Sequence, residues 1–234
     1  MIRHMIERFA AALPGRCAIC HAWPAQPLCE ACIARFAQPE PRCRRCAIPL
    51  AAGVAECGRC LSAPPPLDAC HAAVSYEFPW SALIGHFKFN GQPGWARGFA
   101  TLMRSAPWIE PAVEAADVVL PIPLSRQRLA ERGFNQALLL ARALAPAKTD
   151  ARLLLRIRHT PAQAASGRKE RLGNVKGAFA VDPLRASVLR GKHAVVVDDV
   201  MTSGASLFAA AEVLRQAGAA RVTALVLART DGIR

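Results

Sequence analysis

Ala194-Val195-Val196-Val197-Asp198-Asp199-Val200-Met201-Thr202-Ser203-Gly204-Ala205-Ser206 is the stretch on which the fold turns. His193 to Val197 is rich in β-branched residues and reads as a buried strand. It delivers two carboxylates, Asp198 and Asp199, to its C-terminal end. A loop of small and hydroxylated residues follows. Ala205 to Ala217 reads as a helix closed by Gly218, a natural left-handed stop. Arg221 to Ala228 reads as one more strand. Strand, helix, strand in that order implies a right-handed crossover and a parallel sheet. Ligands of such sheets bind just beyond the C-terminal strand ends. The backbone N–H groups of Thr202 to Ser206 are then aimed at an anion, helped by the positive end of the helix. Gly204 permits close approach, and three hydroxyls add donors without bulk. A 5′-phosphate fits there. The aspartates stand where they accept from ribose hydroxyls or help to place magnesium.

Working upstream, the same alternation continues. Ala72 to Phe78 reads as a strand. Trp80 to Phe89 and Trp95 to Met103 read as helices. Asp117 to Leu120 reads as a short buried strand ending at Pro121. Gly133 to Ala145 carries a helical apolar stripe of Phe134, Ala137, Leu138, Ala141 and Leu144. Leu153 to Ile157 reads as a strand. The class is therefore α/β with a parallel sheet. The chain has 234 residues and is 53% hydrophobic, which argues against a disordered chain. Its apolar runs are too short to span a bilayer, so no stable membrane insertion is expected. Aromatics make up 6%, a composition that disfavours an aromatic stacking surface for single strands.

Eight of the nine cysteines lie between positions 17 and 60. They form four pairs: Cys17 and Cys20, Cys29 and Cys32, Cys43 and Cys46, Cys57 and Cys60. Two cysteines three apart on a tight turn place both sulfurs on one tetrahedral ion, and two such turns make a closed four-thiolate zinc site. Eight ligands suffice for two structural zinc ions. The gaps suit sequential pairing, though interleaved pairing is equally legal chemically. A region so poor in large apolar side chains draws its folding free energy from metal. The boundary is expected in Ser62 to Asp68, with Pro64, Pro65 and Pro66 as a stiff linker. That gives residues 1–66 as an N-terminal helix and double zinc ribbon, and 67–234 as the α/β domain. Met1 to Leu13 has helical spacing and no continuous apolar core, so it does not read as an export signal. The expected compartment is the reducing cytoplasm, where cysteines bind metal more often than they pair. Cys70, without a partner, reads as a buried thiol.

The net charge is +13. Residues 121–180 hold 12 Arg and Lys against 3 acids, a net of +9 that leaves +4 for the rest. A cluster of that sign attracts diphosphate and nucleic acid alike.

The complete string from Ala194 to Ser206 resembles the phosphoribosyl pyrophosphate motif of type I phosphoribosyltransferases. That motif is an apolar strand, two acids, two residues, two hydroxyls, Gly, any residue and a hydroxyl. Further segments narrow the likeness. Pro121-Ile122-Pro123-Leu124, Arg126, Arg128 and Glu131-Arg132-Gly133-Phe134-Asn135-Gln136 are similar to a signature of the ComF family. So are Thr160-Pro161-Ala162-Gln163, Arg171-Leu172-Gly173-Asn174-Val175-Lys176-Gly177-Ala178-Phe179, and Phe87-Lys88-Phe89-Asn90-Gly91.

That resemblance implies a type I phosphoribosyltransferase-like sheet with helices on both faces, preceded by a small cysteine-rich zinc-ribbon domain. It implies Asp198 and Asp199 as the catalytic acids and Thr202, Ser203, Gly204, Ala205 and Ser206 as the phosphate and ribose cradle. Leu124, Ser125, Arg126, Arg128 and Arg132 would face the pyrophosphate, and Arg168 to Lys176 would close over the site. The implied ligand is phosphoribosyl pyrophosphate or a nucleotide, with magnesium. The implied setting is DNA uptake, natural transformation or use of external DNA, with single-stranded DNA and competence proteins as partners. Two functions stay open: a phosphoribosyl transfer enzyme, and a non-catalytic nucleotide-sensing or single-stranded-DNA-binding module.

Overall fold

A computed structural model describes residues 15–23, 26–89, 91–158, 175 and 177–231. The helix expected over Met1 to Leu13, the Thr160 to Gln163 segment and nearly all of the Arg168 to Lys176 loop lie outside those residues. Among the described residues two short helices come first: α1 (Glu30–Phe36) and α2 (Gly58–Ser62). They precede β1 (Ala69–Ser75), α3 (Trp80–Phe89), α4 (Trp95–Arg104) and α5 (Ile109–Glu114). Then come β2 (Val118–Pro121), α6 (Arg126–Arg132), α7 (Gln136–Leu144), β3 (Leu154–Arg156) and β4 (Phe179–Val181). A 3₁₀ turn (Ala186–Leu189), β5 (His193–Met201), α8 (Ala205–Gln216) and β6 (Arg221–Arg229) follow.

The main sheet runs β1-β6-β5-β2, every neighbouring pair parallel. Its two middle strands are apolar on both faces. Ala194 to Val197 of β5 and Val222 to Ala228 of β6 are buried throughout. Unbroken apolar runs are what a parallel sheet covered on both sides requires, and each buried Val contributes about 1.5–3 kcal/mol. One face is covered by α3, α4, α5 and α7, through Trp80, Phe87, Phe99, Met103, Ile109 and Leu140. The other is covered by α8, through Leu207, Ala210 and Leu214, with the β3–β4 hairpin beside it.

The chain reverses its sense of travel between β2 and β5. From β2 it leaves outward through α7 to Thr149, which bridges back to Val119 in parallel. From β5 it leaves the other way, through α8 on the opposite face, to β6. Neighbouring strands that feed helices on opposite faces open a crevice at their C-terminal ends. Asp198 and the Ile122 to Ser125 turn stand at that crevice, since Pro121 pairs with Val197 and Ile122 N donates to Val197 O at 2.9 Å.

The cysteine region packs on the sheet, one half to each face. Ala18, Ile19, Leu28, Ile33 and Phe36 join the core of the α3–α5 face, and Trp80 Nε1 donates to Phe36 O at 3.0 Å. Cys43, Cys46, Ala47 and Cys60 join the core of the α8 face. Cys70 N donates to Arg44 O at 2.7 Å, so the ribbon covers the free edge of β1. The Pro64 to Pro66 stretch lies against α8, with Arg215 Nε donating to Pro66 O at 3.0 Å.

Some elements differ from the sequence expectation. Gly133 to Ala145 is not one helix. Gly133 takes a left-handed φ of 76° and ends α6, and Asn135 caps the separate α7 by accepting from Leu138 N. β1 sits three residues earlier than Ala72 to Phe78, because its register on β6 starts at Ala69 opposite Thr223. β5 runs past Val197 to Met201, carrying both aspartates inside the strand.

Candidate functional site

The two halves of the cysteine region repeat one design. Cys17 to Cys20 and Cys43 to Cys46 each close a tight turn. His21 N returns to Cys17 O at 2.9 Å and Ala47 N to Cys43 O at 2.7 Å. His21 and Ala47 both take left-handed φ, 59° and 55°. Cys29 and Cys57 each stand at the N-cap of a short helix that carries the next thiol, Cys32 or Cys60. The structure gathers Cys17, Cys20, Cys29 and Cys32 in one group and Cys43, Cys46, Cys57 and Cys60 in another, each with its sulfurs within 4.8 Å of one another. The Cys20–Cys29 and Cys46–Cys57 sulfur separations are both 3.7 Å. A tetrahedral ion with zinc–sulfur bonds of about 2.3 Å sets its sulfurs about 3.8 Å apart, so both groups fit that ion. Burial works against the Cys17 thiolate, but the N–H groups of Cys20, Cys29 and Ile19 outweigh it and bring the thiol down to about 6. Cys43 is brought down to about 7 in the same way, burial being outweighed by the N–H groups of Cys57, Arg45 and Cys46. All nine cysteines are free thiols. Cys70 is fully inside, where burial pushes it up to about 12.

At the crevice, Asp199 is 6% exposed and Asp198 is partly buried beside it. Asp198 Oδ1 accepts from Asp199 N at 2.9 Å, and Asp199 Oδ1 from Val200 N at 2.6 Å. Desolvation first, and Asp199 second, push Asp198 up to about 7 against the pull of Lys88 and Arg132. Lys88, from the last turn of α3, places Nζ 3.0 Å from Asp199 Oδ1. Its segment carried part of the family likeness, but no role for the lysine was legible. Arg156 of β3 is a second addition. It lies within electrostatic reach of Asp198 and Arg128, and its guanidinium covers the Phe179 ring at 5.3 Å.

The Met201 to Gly204 loop follows. Gly204 has φ +83°, and a Cβ there would stand 2.5 Å from Met201 Cε and 2.6 Å from Phe208 Cζ. Both the torsion and the space select glycine. Among the described residues, the backbone N–H groups of Thr202, Ser203, Gly204 and Ser206 donate to no protein acceptor. Such N–H groups at the start of α8 offer an anion site.

The expected pyrophosphate residues divide. Ser125 is buried and spends its hydroxyl on the N-cap of α6, accepting from Arg128 N at 3.3 Å. Arg126 is exposed. Arg128 and Arg132 are half-buried, Arg132 bonded to Gln136 Oε1 at 3.0 Å and stacked over Phe89. Leu124 is also half-buried in the turn between β2 and α6. Lys88, Arg132 and Arg156 thus gather around two acids, with Arg128 next to Arg156, an excess of positive charge suited to a diphosphate.

A parallel sheet with an acid pair and an amide loop at its switch point defines a phosphoribosyltransferase-type domain. The phosphoribosyl transferase domain model matches residues 131–232. The DNA utilization protein YhgH of Salmonella typhimurium is 31% identical over 227 residues, covering 93% of this chain and 98% of that one. Competence protein F of Haemophilus influenzae is 30% identical over 86% of this chain and 90% of its own. Competence protein ComFC of Bacillus subtilis is 31% identical over 68% of this chain and 63% of its own. The chain belongs to the ComF family, the phosphoribosyltransferase-like proteins of competence and DNA utilization. Among the described residues no helix is long and apolar enough to cross a membrane.

Proposed function

We propose that this protein binds phosphoribosyl pyrophosphate at the end of β5 and serves the uptake or use of external DNA. The observation that carries the reading is the junction of β5 and α8. There the Asp198–Asp199 pair and the unclaimed N–H groups of Thr202, Ser203, Gly204 and Ser206 stand beside Arg132 and Arg156, with Arg128 next to Arg156. The loop and Ser206 take the 5′-phosphate, the two carboxylates accept from the ribose diol, and the arginines face the diphosphate. Asp198 and Asp199 are the residues that would hold magnesium together with the ligand's diphosphate. The carboxyl oxygens of Asp198 and Asp199 suit it, and its charge there would lower the cost of the departing pyrophosphate. In the transfer reading, a nitrogen nucleophile forms a bond to C1 while the C1–oxygen bond breaks and pyrophosphate leaves with the electron pair. Two zinc ions in the four-thiol groups are structural, because a closed four-thiolate site keeps no open position. Thiols kept free for metal favour a reducing, cytoplasmic setting.

Calorimetry with phosphoribosyl pyrophosphate and magnesium tests this. The wild type binds, and the Asp198→Ala/Asp199→Ala double variant does not. A wild type that takes no ligand at millimolar concentration removes the reading.

The second reading is a module that senses a nucleotide or holds single-stranded DNA among competence proteins without turnover. The net +9 of residues 121–180 and the exposure of Arg126 favour it. Pyrophosphate release screened over nucleobases and amines separates the two. Affinity for a single strand that falls steeply with salt marks the second.

A further inference from the structure

Arg229, the last residue of β6, is 0% exposed. Its Nε donates to Cys46 O at 2.8 Å. Its Nη1 donates to Met201 O at 3.0 Å and Thr202 O at 2.7 Å, and also to Thr230 O. One guanidinium therefore spans the knuckle of the second thiol cluster and the loop assigned to phosphate. We propose that Arg229 is a positioning residue for that loop, and that it passes the metal state of the Cys43–Cys60 cluster to it. The proposal rests on the phosphate reading above.

The peptide plane explains how. In a trans peptide the C=O and the following N–H point in opposite directions. Holding Met201 O and Thr202 O inward turns the N–H groups of Thr202 and Ser203 outward, where an anion would sit. Thr230 N reinforces the first of these by donating to Met201 O at 3.1 Å. A buried guanidinium has few acceptors to choose from, and it persists only where its N–H groups are met. Its Nη2 is buried with no partner among the described residues, and besides Cys46 O and the two loop carbonyls its acceptors are Thr230 O and Thr230 Oγ1, next to it in the chain.

The Nε acceptor belongs to the metal site. Cys46 O belongs to the tight Cys43–Ala47 turn, whose thiols a bound zinc would tie to Cys57 and Cys60. Without the ion that turn would keep its backbone bonds, among them Cys43 N to Ile48 O at 2.8 Å and Arg44 N to Ala55 O at 2.9 Å, but would lose the tie through the Cys43 and Cys46 sulfurs to Cys57 and Cys60. Cys46 O then shifts, the guanidinium follows, and the two loop carbonyls are released. The first cluster supplies an internal control. It packs on the opposite face of the sheet, and among the described residues no hydrogen bond of Cys17, Cys20, Cys29 or Cys32 reaches the loop.

The test uses the full zinc-loaded chain and two readouts: affinity for phosphoribosyl pyrophosphate with magnesium, and amide hydrogen exchange of residues 198–208 without ligand. Cys60→Ser loses one zinc per chain, with affinity falling and loop exchange rising about tenfold, as losing one or two hydrogen bonds predicts. Cys20→Ser also loses one zinc and leaves the exchange of Thr202 and Ser203, the amides that Arg229 orients, unchanged. Arg229→Lys keeps both zinc ions and the charge but loses the fork, and raises loop exchange as Cys60→Ser does. Loop exchange that responds equally to both cysteine variants, or to neither, overturns the proposal. So does a rise spread evenly over β2, β5 and β6, the mark of a merely structural arginine. If the wild type takes no phosphoribosyl pyrophosphate, the ligand reading fails, and the exchange comparison still decides the role of Arg229.

Discussion

Lys88 Nζ lies 3.0 Å from Asp199 Oδ1, joining the last turn of α3 to the end of the central strand. Both side chains are largely withdrawn from water, 16% and 9% exposed. The contact closes the crevice from the α3 side and supplies a cation to a pair of acids that repel each other.

Lys88→Met should therefore destabilise the protein by about 3 kcal/mol at neutral pH, the usual cost of stripping one partner from a buried pair. The loss should shrink at pH 5, where the Asp198 carboxyl, pushed up to about 7 by burial and by Asp199, holds its proton and leaves one negative charge fewer for the lysine to offset. Urea melts at pH 5 and pH 8 measure this. Equal losses at both pH values would mean that the lysine acts by packing its stem and not by charge.

Asp198 carries the opposite signature. Burial and Asp199 push it up to about 7 in the folded protein, from the ordinary aspartate value of 3.8. The folded state then holds the proton more tightly than the unfolded chain. Ionising Asp198 costs nothing below about pH 4, and the cost builds as pH rises and is complete above about pH 7. Asp198→Asn is expected to gain stability over the wild type at pH 8, with a ceiling of about 4 kcal/mol for a shift of about three units. The two proteins should melt together at pH 4. The same variant should lose phosphoribosyl pyrophosphate binding, a trade of stability for a ligand site. A wild type and variant that differ by the same amount across pH 4 to 8 would contradict the raised carboxyl.

How much of this was readable beforehand depended on sequence distance. The strand, acid pair, loop and helix from His193 to Gln216 are contiguous, and each carries a local signal: β-branched run, turn chemistry, amphipathic stripe. The cysteine pairs are equally local. α6 went unread because Arg126 to Arg132 buries no residue and so has no apolar stripe, although Ser125 offered a cap. The expectation of one helix from Gly133 failed because Gly133 and Asn135 act as punctuation between two helices, stop and start. β3 and β4 have three residues each and make sense only as partners. Lys88, Arg156 and Arg229 reach their acidic or carbonyl partners through tertiary folding. The one trace of Arg229 in the sequence is a charge at the end of the apolar run Val222 to Ala228.

The thiol clusters predict a stoichiometry. Zinc should be near two per chain, and Cys32→Ser and Cys57→Ser should each lose one. The first variant loosens the face that holds Trp80, whose indole donates to Phe36 O, so its fluorescence should move. The second leaves that indole undisturbed. Metal-free protein with unchanged fluorescence and melting would refute a structural role for the ions, since a region this poor in core depends on metal to fold.

Gly204→Ala separates the loop from everything around it. Alanine at φ +83° pays for a left-handed torsion, and its Cβ would press on Met201 Cε and Phe208 Cζ. Both are side-chain ends with some freedom, so the chain should fold with a loss of about 1–3 kcal/mol. Zinc content should hold at the wild-type value, because neither cluster touches Gly204. Ligand affinity should fall by more than stability alone explains: the N–H groups of Ser203 and Ser206 flank the strained residue, and a shift of a few tenths of an ångström misaims them. Thermal melts, zinc assay and calorimetry on one preparation read all three. Wild-type affinity in a destabilised Gly204→Ala protein would place the phosphate somewhere other than this loop.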